Sequence, residues 1–97
     1  MTMTPQDVIA KLSEFETPAE IRRLFGDLGI KAMRGQGRYC AIAEYAFRES
    51  GERPRVSLTC GFFADTQDGA FFEWAHTKAM EDFVGDFDAG MYPELER

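Results

Sequence analysis

Three side chains of this sequence have the chemistry of nucleophiles, general bases or metal ligands: Cys40, Cys60 and the single histidine, His76. A catalytic cysteine needs an exposed, electropositive setting, and zinc ligands recur at characteristic short spacings. These three residues match no such spacing. With a turn near residues 67–68, Cys60 lies opposite residues 73–75 instead of beside the histidine. We expect two reduced thiols buried as small apolar side chains, and a histidine at the surface or at the start of a helix. The sequence predicts no enzyme, no metal and no other cofactor.

Carboxylates are numerous, and their distribution along the chain is uneven. Residues 1–64 hold nine basic and eight acidic side chains, whereas residues 65–97 hold two basic and nine acidic ones. The second segment therefore has a net charge of −7 in a chain of net charge −6. Pairs such as Asp86 and Asp88 have the groups of a general acid and base, but a domain this small rarely forms the substrate cleft they need. An acidic surface repels nucleic-acid phosphates and favours basic partners, although it also serves simply as a solvated face.

A glycine-bearing loop near the middle of the chain carries three cations. The loop spans residues 31–38, and a third helix follows it. Free amides and cations at a helix N-terminus favour an anion such as phosphate. Its candidate anion-binding residues are Arg34, Gly35, Gly37 and Arg38, and a small-molecule or anion-binding protein that uses residues 34–38 is one alternative function. No phosphate-loop Gly-Lys-Ser/Thr sequence is present, so a plain glycine connector is the alternative.

Helices dominate the predicted fold. Thr4 and Thr17 each precede a proline and an apolar stripe at helical spacing, which predicts two capped helices, the second ending at Gly29. A third helix is expected from Tyr39 to Ser50, with Tyr39, Ile42, Ala43 and Ala46 buried. Thr77 starts a fourth that runs to about Ala89, and its inward face is predicted to be Ala79, Met80, Phe83, Val84 and Phe87. Tyr92 and Leu95 then anchor a tail.

Alternating side chains predict a β-hairpin between the third and fourth helices. Val56, Leu58 and Cys60 share the inner face of its first strand, and Gly61 marks a bulge. Residues 66–69 form the turn, with an Asp-Gly signal, and residues 70–75 return as the second strand. The chain is thus predicted to be one α+β domain over residues 1–97, in the order α-α-α-β-β-α.

The same element order is found in winged-helix DNA-binding domains. Candidate phosphate contacts would be Arg34, Arg38, Arg48, Arg53 and Arg55. The predicted third helix carries almost nothing that reads base edges, and the last strand and helix are acidic. Direct nucleic-acid binding is therefore an alternative that these features disfavour.

The end of the chain resembles the FV-x-x-FD-x-G-x-YP-x-L tail of small proteins from actinobacteria, bacteriophages and related mobile elements, for which no activity is established. The residues are Phe83-Val84-Gly85-Asp86-Phe87-Asp88-Ala89-Gly90-Met91-Tyr92-Pro93-Glu94-Leu95. The segment Cys40-Ala41-Ile42-Ala43-Glu44-Tyr45 is similar to that family's C-P-[IL]-A-x-Y helix start, with Ala41 in place of the usual proline. The resemblance covers about residues 20–95 and implies a phage or mobile-element origin.

Size, the acidic segment and the lack of recognisable catalytic groups together favour a small protein-binding module, of the phage or mobile-element origin that the resemblance implies. The hypothesis is an inhibitor of a host defence complex, similar to DNA-mimicking anti-CRISPR proteins, that occupies a basic nucleic-acid-binding surface of a larger protein or ribonucleoprotein. The predicted partner contacts are Asp65, Asp68, Glu81, Asp82, Asp86 and Glu94. The sequence shows neither a signal peptide nor a membrane span, so we expect a cytoplasmic protein of a bacterial host cell. A homodimer through Phe71, Trp74 or Tyr45 is a further alternative.

Overall fold

The computed structural model describes residues 3–64 and 71–97, and it confirms an α+β fold. Helices in this part of the chain are α1 (Pro5–Ser13), α2 (Pro18–Leu28), α3 (Ala41–Ser50) and α4 (Lys78–Asp88), with a short 3₁₀ turn at Pro93–Leu95. Strands are β1 (Arg55–Val56), β2 (Cys60–Phe63) and β3 (Phe72–Ala75), which form an antiparallel sheet in the order β1-β2-β3. The predicted turn at residues 66–69 lies outside the described residues.

The first two helices begin where their sequence signals predict, and the second also ends at its predicted residue, whereas the first ends at Ser13, before Phe15 of its predicted apolar stripe. Thr4 caps α1 by accepting from the amide of Asp7 (3.1 Å), while the Asp7 carboxylate accepts from the amide of Thr4 (3.3 Å). Thr17 and Glu20 form the same reciprocal capping box at α2. Gly29 ends α2 with φ +70°, a left-handed conformation that glycine adopts without a steric penalty.

The third helix begins two residues later than predicted. Cys40 is its N-cap, and Tyr39 lies outside the helix with 43% of its surface exposed. The prediction that Tyr39 belongs to the buried face is therefore wrong, because its ring stacks on the guanidinium of Arg53 instead of entering the core. The remaining predicted face of the helix, Ile42, Ala43 and Ala46, is buried.

The predicted first strand of the hairpin is divided into two strands by a tight turn. The Ser57 hydroxyl accepts from the amide of Cys60 (3.3 Å), and the Ser57 amide donates to the Cys60 carbonyl (2.8 Å). These bonds reverse the chain between β1 and β2, which pair antiparallel. Leu58 and Cys60 are consequently exposed, so their predicted place on the inner face is wrong.

Position 61 requires a glycine for a reason other than the predicted bulge. It pairs in regular register with Val56 on one side and with Trp74 on the other. The Trp74 ring covers it, and a side chain there would collide with the indole. Cys60 pairs with Ala75, which lies within the predicted range of partners.

Aromatic side chains fill the core between the helices and the sheet. The Phe25 ring lies 5.0 Å from Tyr45 and 5.2 Å from Phe83, measured between ring centroids. All five predicted inward residues of α4 are buried. The predicted tail anchors Tyr92 and Leu95 are buried as well. The tail is held to the segment after α2, where the Ala32 amide donates to the Leu95 carbonyl (2.7 Å).

Candidate functional site

The six predicted acidic contacts do not form one patch. Asp65 and Asp68 lie outside the described residues. Glu81 and Asp82 are exposed on the first turns of α4, as predicted. Asp82 lies 3.4 Å from the ammonium of Lys78, a pairing between exposed side chains that contributes little to stability.

The other two predicted contacts serve the fold. Asp86 accepts a hydrogen bond from the Tyr92 hydroxyl (3.0 Å). Burial of Tyr92 and this bond to a carboxylate raise the pKa of the phenol to about 12. Glu94 accepts two bonds of 2.7 Å from the guanidinium of Arg22, which lower the pKa of the Glu94 carboxyl below its usual value. Both carboxylates therefore hold the tail against the helices.

An exposed apolar residue lies beside α4 at a place that the sequence pattern had assigned to the core. Leu58 is 56% exposed, and its side chain lies over Gly85 of α4. Glu81 precedes Gly85 by one helical turn and Asp82 by three residues, so all three lie on neighbouring positions of one helix face. Asp88 lines a shallow cavity of about 120 Å³ together with Leu58. We call the set Leu58, Glu81, Asp82, Gly85 and Asp88 the Leu58 surface.

The predicted anion-binding loop contacts carboxylates of the chain itself. The amide of Gly35 donates to Asp88 (3.0 Å), and the guanidinium of Arg34 lies 2.8 Å from Glu96. Gly37 serves the fold, because its carbonyl accepts from the Val56 amide (2.8 Å) and continues the edge of the sheet. The Arg38 carbonyl accepts from Arg53 at 2.6 Å, while its own guanidinium has no partner within the described residues. Two of the groups offered to an anion are therefore already bound to carboxylates.

Most of the arginines predicted to contact phosphate are also engaged. Arg48 donates to the Leu28 carbonyl at the end of α2 (2.8 Å). Arg53 is paired with Glu44 and lies between two aromatic rings, 4.7 Å from the centroid of Tyr39 and 4.4 Å from that of Phe47. Within residues 3–64 and 71–97, only the guanidiniums of Arg38 and Arg55, among the five predicted, have no partner.

The thiols and the histidine occupy three different environments. Cys40 is buried, and burial raises the pKa of its thiol to about 11. Cys60 is exposed, with its sulfur 3.3 Å from the hydroxyl of Ser57, so the prediction of a buried thiol is wrong for this residue. His76 directly precedes the cap of α4, but it is only 8% exposed and is therefore not a surface residue. No three His, Cys, Asp or Glu side chains in the described ranges are arranged to hold a metal ion.

Two of the three residues suggested for a dimer interface are inaccessible. Tyr45 and Trp74 are buried in the core. Phe71 is exposed and stacks on Phe62 with 5.7 Å between ring centroids.

Comparisons of the chain with family models, curated proteins and solved structures found no match. Between residues 3 and 64 and between 71 and 97, no helix combines the length and apolar character that crossing a bilayer requires.

Proposed function

We propose that this protein is a binding module without catalytic activity, which uses the Leu58 surface to contact a basic region of a larger protein. The observation that carries the proposal is the exposed Leu58 side chain above Gly85, with Glu81 and Asp88 on either side of that glycine along α4. Binding interfaces commonly combine an apolar centre with a polar rim, and complementary charge at the rim sets the choice of partner and the rate of association.

The exposed charged side chains beside Leu58 are acidic, which favours a basic partner. Glu81 and Asp82 extend from the exposed face of α4, whereas Arg34, Arg48 and Arg53 are engaged within the chain. A net charge of −6 adds long-range attraction to a basic surface. The nucleic-acid channel of a host defence ribonucleoprotein has this chemistry. The proposed action is inhibition by occupying such a channel, in the manner of an anti-CRISPR protein. The resemblance of the C-terminal segment adds only the expectation of a phage or mobile-element origin.

Affinity capture from an actinobacterial lysate with matched variants tests this function. The variants are Leu58→Ser, which removes the apolar centre, and the double variant Glu81→Lys/Asp82→Lys, which reverses the rim charge. The control is Glu14→Lys/Asp27→Lys, which makes the same change of net charge at exposed positions, one at the C-cap of α1 and one on α2. The altered side chains are all exposed, so we expect every variant to retain the helical circular dichroism of the parent.

The wild type and the control are expected to retain one defined partner at low salt and to release it to heparin, a polyanion that competes for basic surfaces. Leu58→Ser and the rim reversal are expected to lose it. Retention of the same partner by both test variants would exclude the Leu58 surface. Recovery of nuclease-sensitive nucleic acid that depends on Arg38 and Arg55 would instead support the alternative of nucleic-acid binding.

A further inference from the structure

The ring of His76 is held between one group that only donates a hydrogen bond and one that only accepts. The indole Nε1–H of Trp74 lies 2.9 Å from Nδ1, and the carbonyl oxygen of Ser57 lies 2.9 Å from Nε2. Because an indole cannot accept and a carbonyl cannot donate, Nδ1 must be bare and Nε2 must carry the hydrogen. The neutral ring in this one tautomer satisfies both neighbours.

A second proton on the ring is incompatible with this arrangement. The imidazolium form carries a hydrogen on each nitrogen, so Nδ1–H would point at the indole N–H. Both side chains are almost fully buried, which excludes water from the space between them. Protonation must therefore separate Trp74 from His76, while the bond from Nε2 to Ser57 is retained.

Three elements surround the histidine, and each contributes groups that influence its charge. On α4, Glu81 attracts the protonated ring, whereas the ammonium of Lys78 is 88% exposed and pairs with Asp82. The β1–β2 turn contributes the Ser57 carbonyl, and β3 contributes the indole. Burial outweighs the attraction of Glu81 and Ser57, and the pKa of His76 is lowered from its usual 6.5.

We propose that His76 is an acid-sensitive latch of the sheet, in which gain of a proton breaks the Trp74–His76 hydrogen bond and releases Trp74 from Gly61. The β1–β2 turn is fastened to the same histidine, since the His76 amide also donates to the Thr59 carbonyl (2.9 Å). Both of these bonds from His76 to the turn remain after protonation, so the change is confined to Trp74 and its contact with Gly61. The latch is a property of the protein alone and does not depend on the proposed partner.

The direction of the pH effect follows from the lowered pKa. Well above pH 6.5 the histidine is neutral in both the folded and the unfolded chain, and the latch contributes its full stability. As the pH falls below 6.5, the unfolded chain takes up a proton before the folded one does. Stability is therefore lost progressively until the pH passes the lowered pKa of the folded state.

One tryptophan and one histidine in the chain make the test unambiguous. Acid titration of the wild type should give a one-proton transition with a midpoint below pH 6.5. The His76 ring resonances, the indole N–H resonance and the tryptophan fluorescence should follow it together, with unchanged far-ultraviolet circular dichroism. His76→Gln should abolish the transition, and Glu81→Gln should move it to lower pH.

Two results would overturn the latch. One is a His76 ring that gains its proton while the indole N–H resonance and fluorescence stay unchanged. The other is a fluorescence transition that persists in His76→Gln. Should that variant fail to fold, coincidence of the histidine and indole signals in the wild type decides the question, and the shift in Glu81→Gln checks it independently.

Discussion

The indole ring of Trp74 lies directly on Gly61, its partner across the β2–β3 pair. A Cβ atom at position 61 would be 2.2 Å from Cζ2 of the ring, far inside van der Waals contact. The ring has little freedom to retreat, because it is bonded to His76 and packs at 5.5 Å from the centroid of Phe63. The glycine is therefore a condition for the buried position of the tryptophan.

Gly61→Ala should destabilise the fold. Forcing a methyl group into a packed site costs about 1–3 kcal/mol, so the midpoint of urea unfolding should fall and the tryptophan emission should shift to the red. Gly26→Ala is the matched control. It lies inside α2 with nothing within 4 Å of its added methyl group, and it should stabilise the protein by about 0.5–1 kcal/mol. Equal effects of the two substitutions would contradict the close contact.

Arg53 places its guanidinium between the rings of Tyr39 and Phe47, so we expect an arginine to be required at this position. Arg53→Lys removes the planar group that stacks on both rings and should cost about 1 kcal/mol in the free energy of unfolding. Arg55→Lys makes the same chemical change at an exposed side chain that has no partner within the described residues. Its effect should lie within about 0.5 kcal/mol of zero. Indistinguishable unfolding midpoints would show that the stacked arrangement adds no stability.

The hydrogen bond from Tyr92 to Asp86 can be removed by deleting one oxygen. Tyr92→Phe retains the ring beneath Arg22, 4.7 Å from the guanidinium carbon, and should cost about 1–2 kcal/mol because a bond to a carboxylate is lost. Tyr39→Phe is the control, since the Tyr39 hydroxyl has no bond to any residue the structure describes. Ultraviolet titration adds a second check, in which Tyr92→Phe removes the phenol that ionises near pH 12.

The two thiols should differ sharply in reactivity. Cys60 is exposed and should react promptly with a disulfide reagent such as Ellman's reagent, whereas Cys40 is buried with a pKa of about 11 and should react only when the protein opens. One equivalent of fast reaction is therefore expected in the native protein and two in urea. Cys60→Ser should eliminate the fast reaction, and a fast thiol remaining in that variant would place Cys40 at the surface.

Features with local causes were predictable from the sequence, and features that depend on distant partners were not. The caps Thr4, Thr17 and Thr77 act within three residues, and the buried face of α4 follows the helical period, so both were predicted correctly. The turn after β1 was missed because alternation continues through it. A serine hydroxyl that binds three residues ahead is what breaks the strand.

Only part of the candidate site was predicted, because here too local patterns are visible in the sequence and contacts with distant residues are not. Helical spacing correctly placed Glu81 and Asp82 on the exposed face. It gave no sign that Arg22 would bind Glu94, a residue 72 positions away. Leu58 was assigned to the core by strand alternation, and only the observed turn brings it to the surface beside Gly85. Pairings between long side chains across the fold leave no periodic signal in a single sequence.

The C-terminal tail is expected to affect the order of events in folding. Arg22 and Lys31 hold it in place by donating to Glu94. Its contacts join residues 63 and 72 positions apart, and a further pair joins Glu44 to Arg97 across 53 positions. Closing such long loops costs more entropy than forming the helices, so we expect the tail to dock after the rate-limiting step of folding. Substitutions in the tail should then accelerate unfolding and leave the folding rate nearly unchanged. We therefore expect the contacts of residues 94–97 to lengthen the lifetime of the native state.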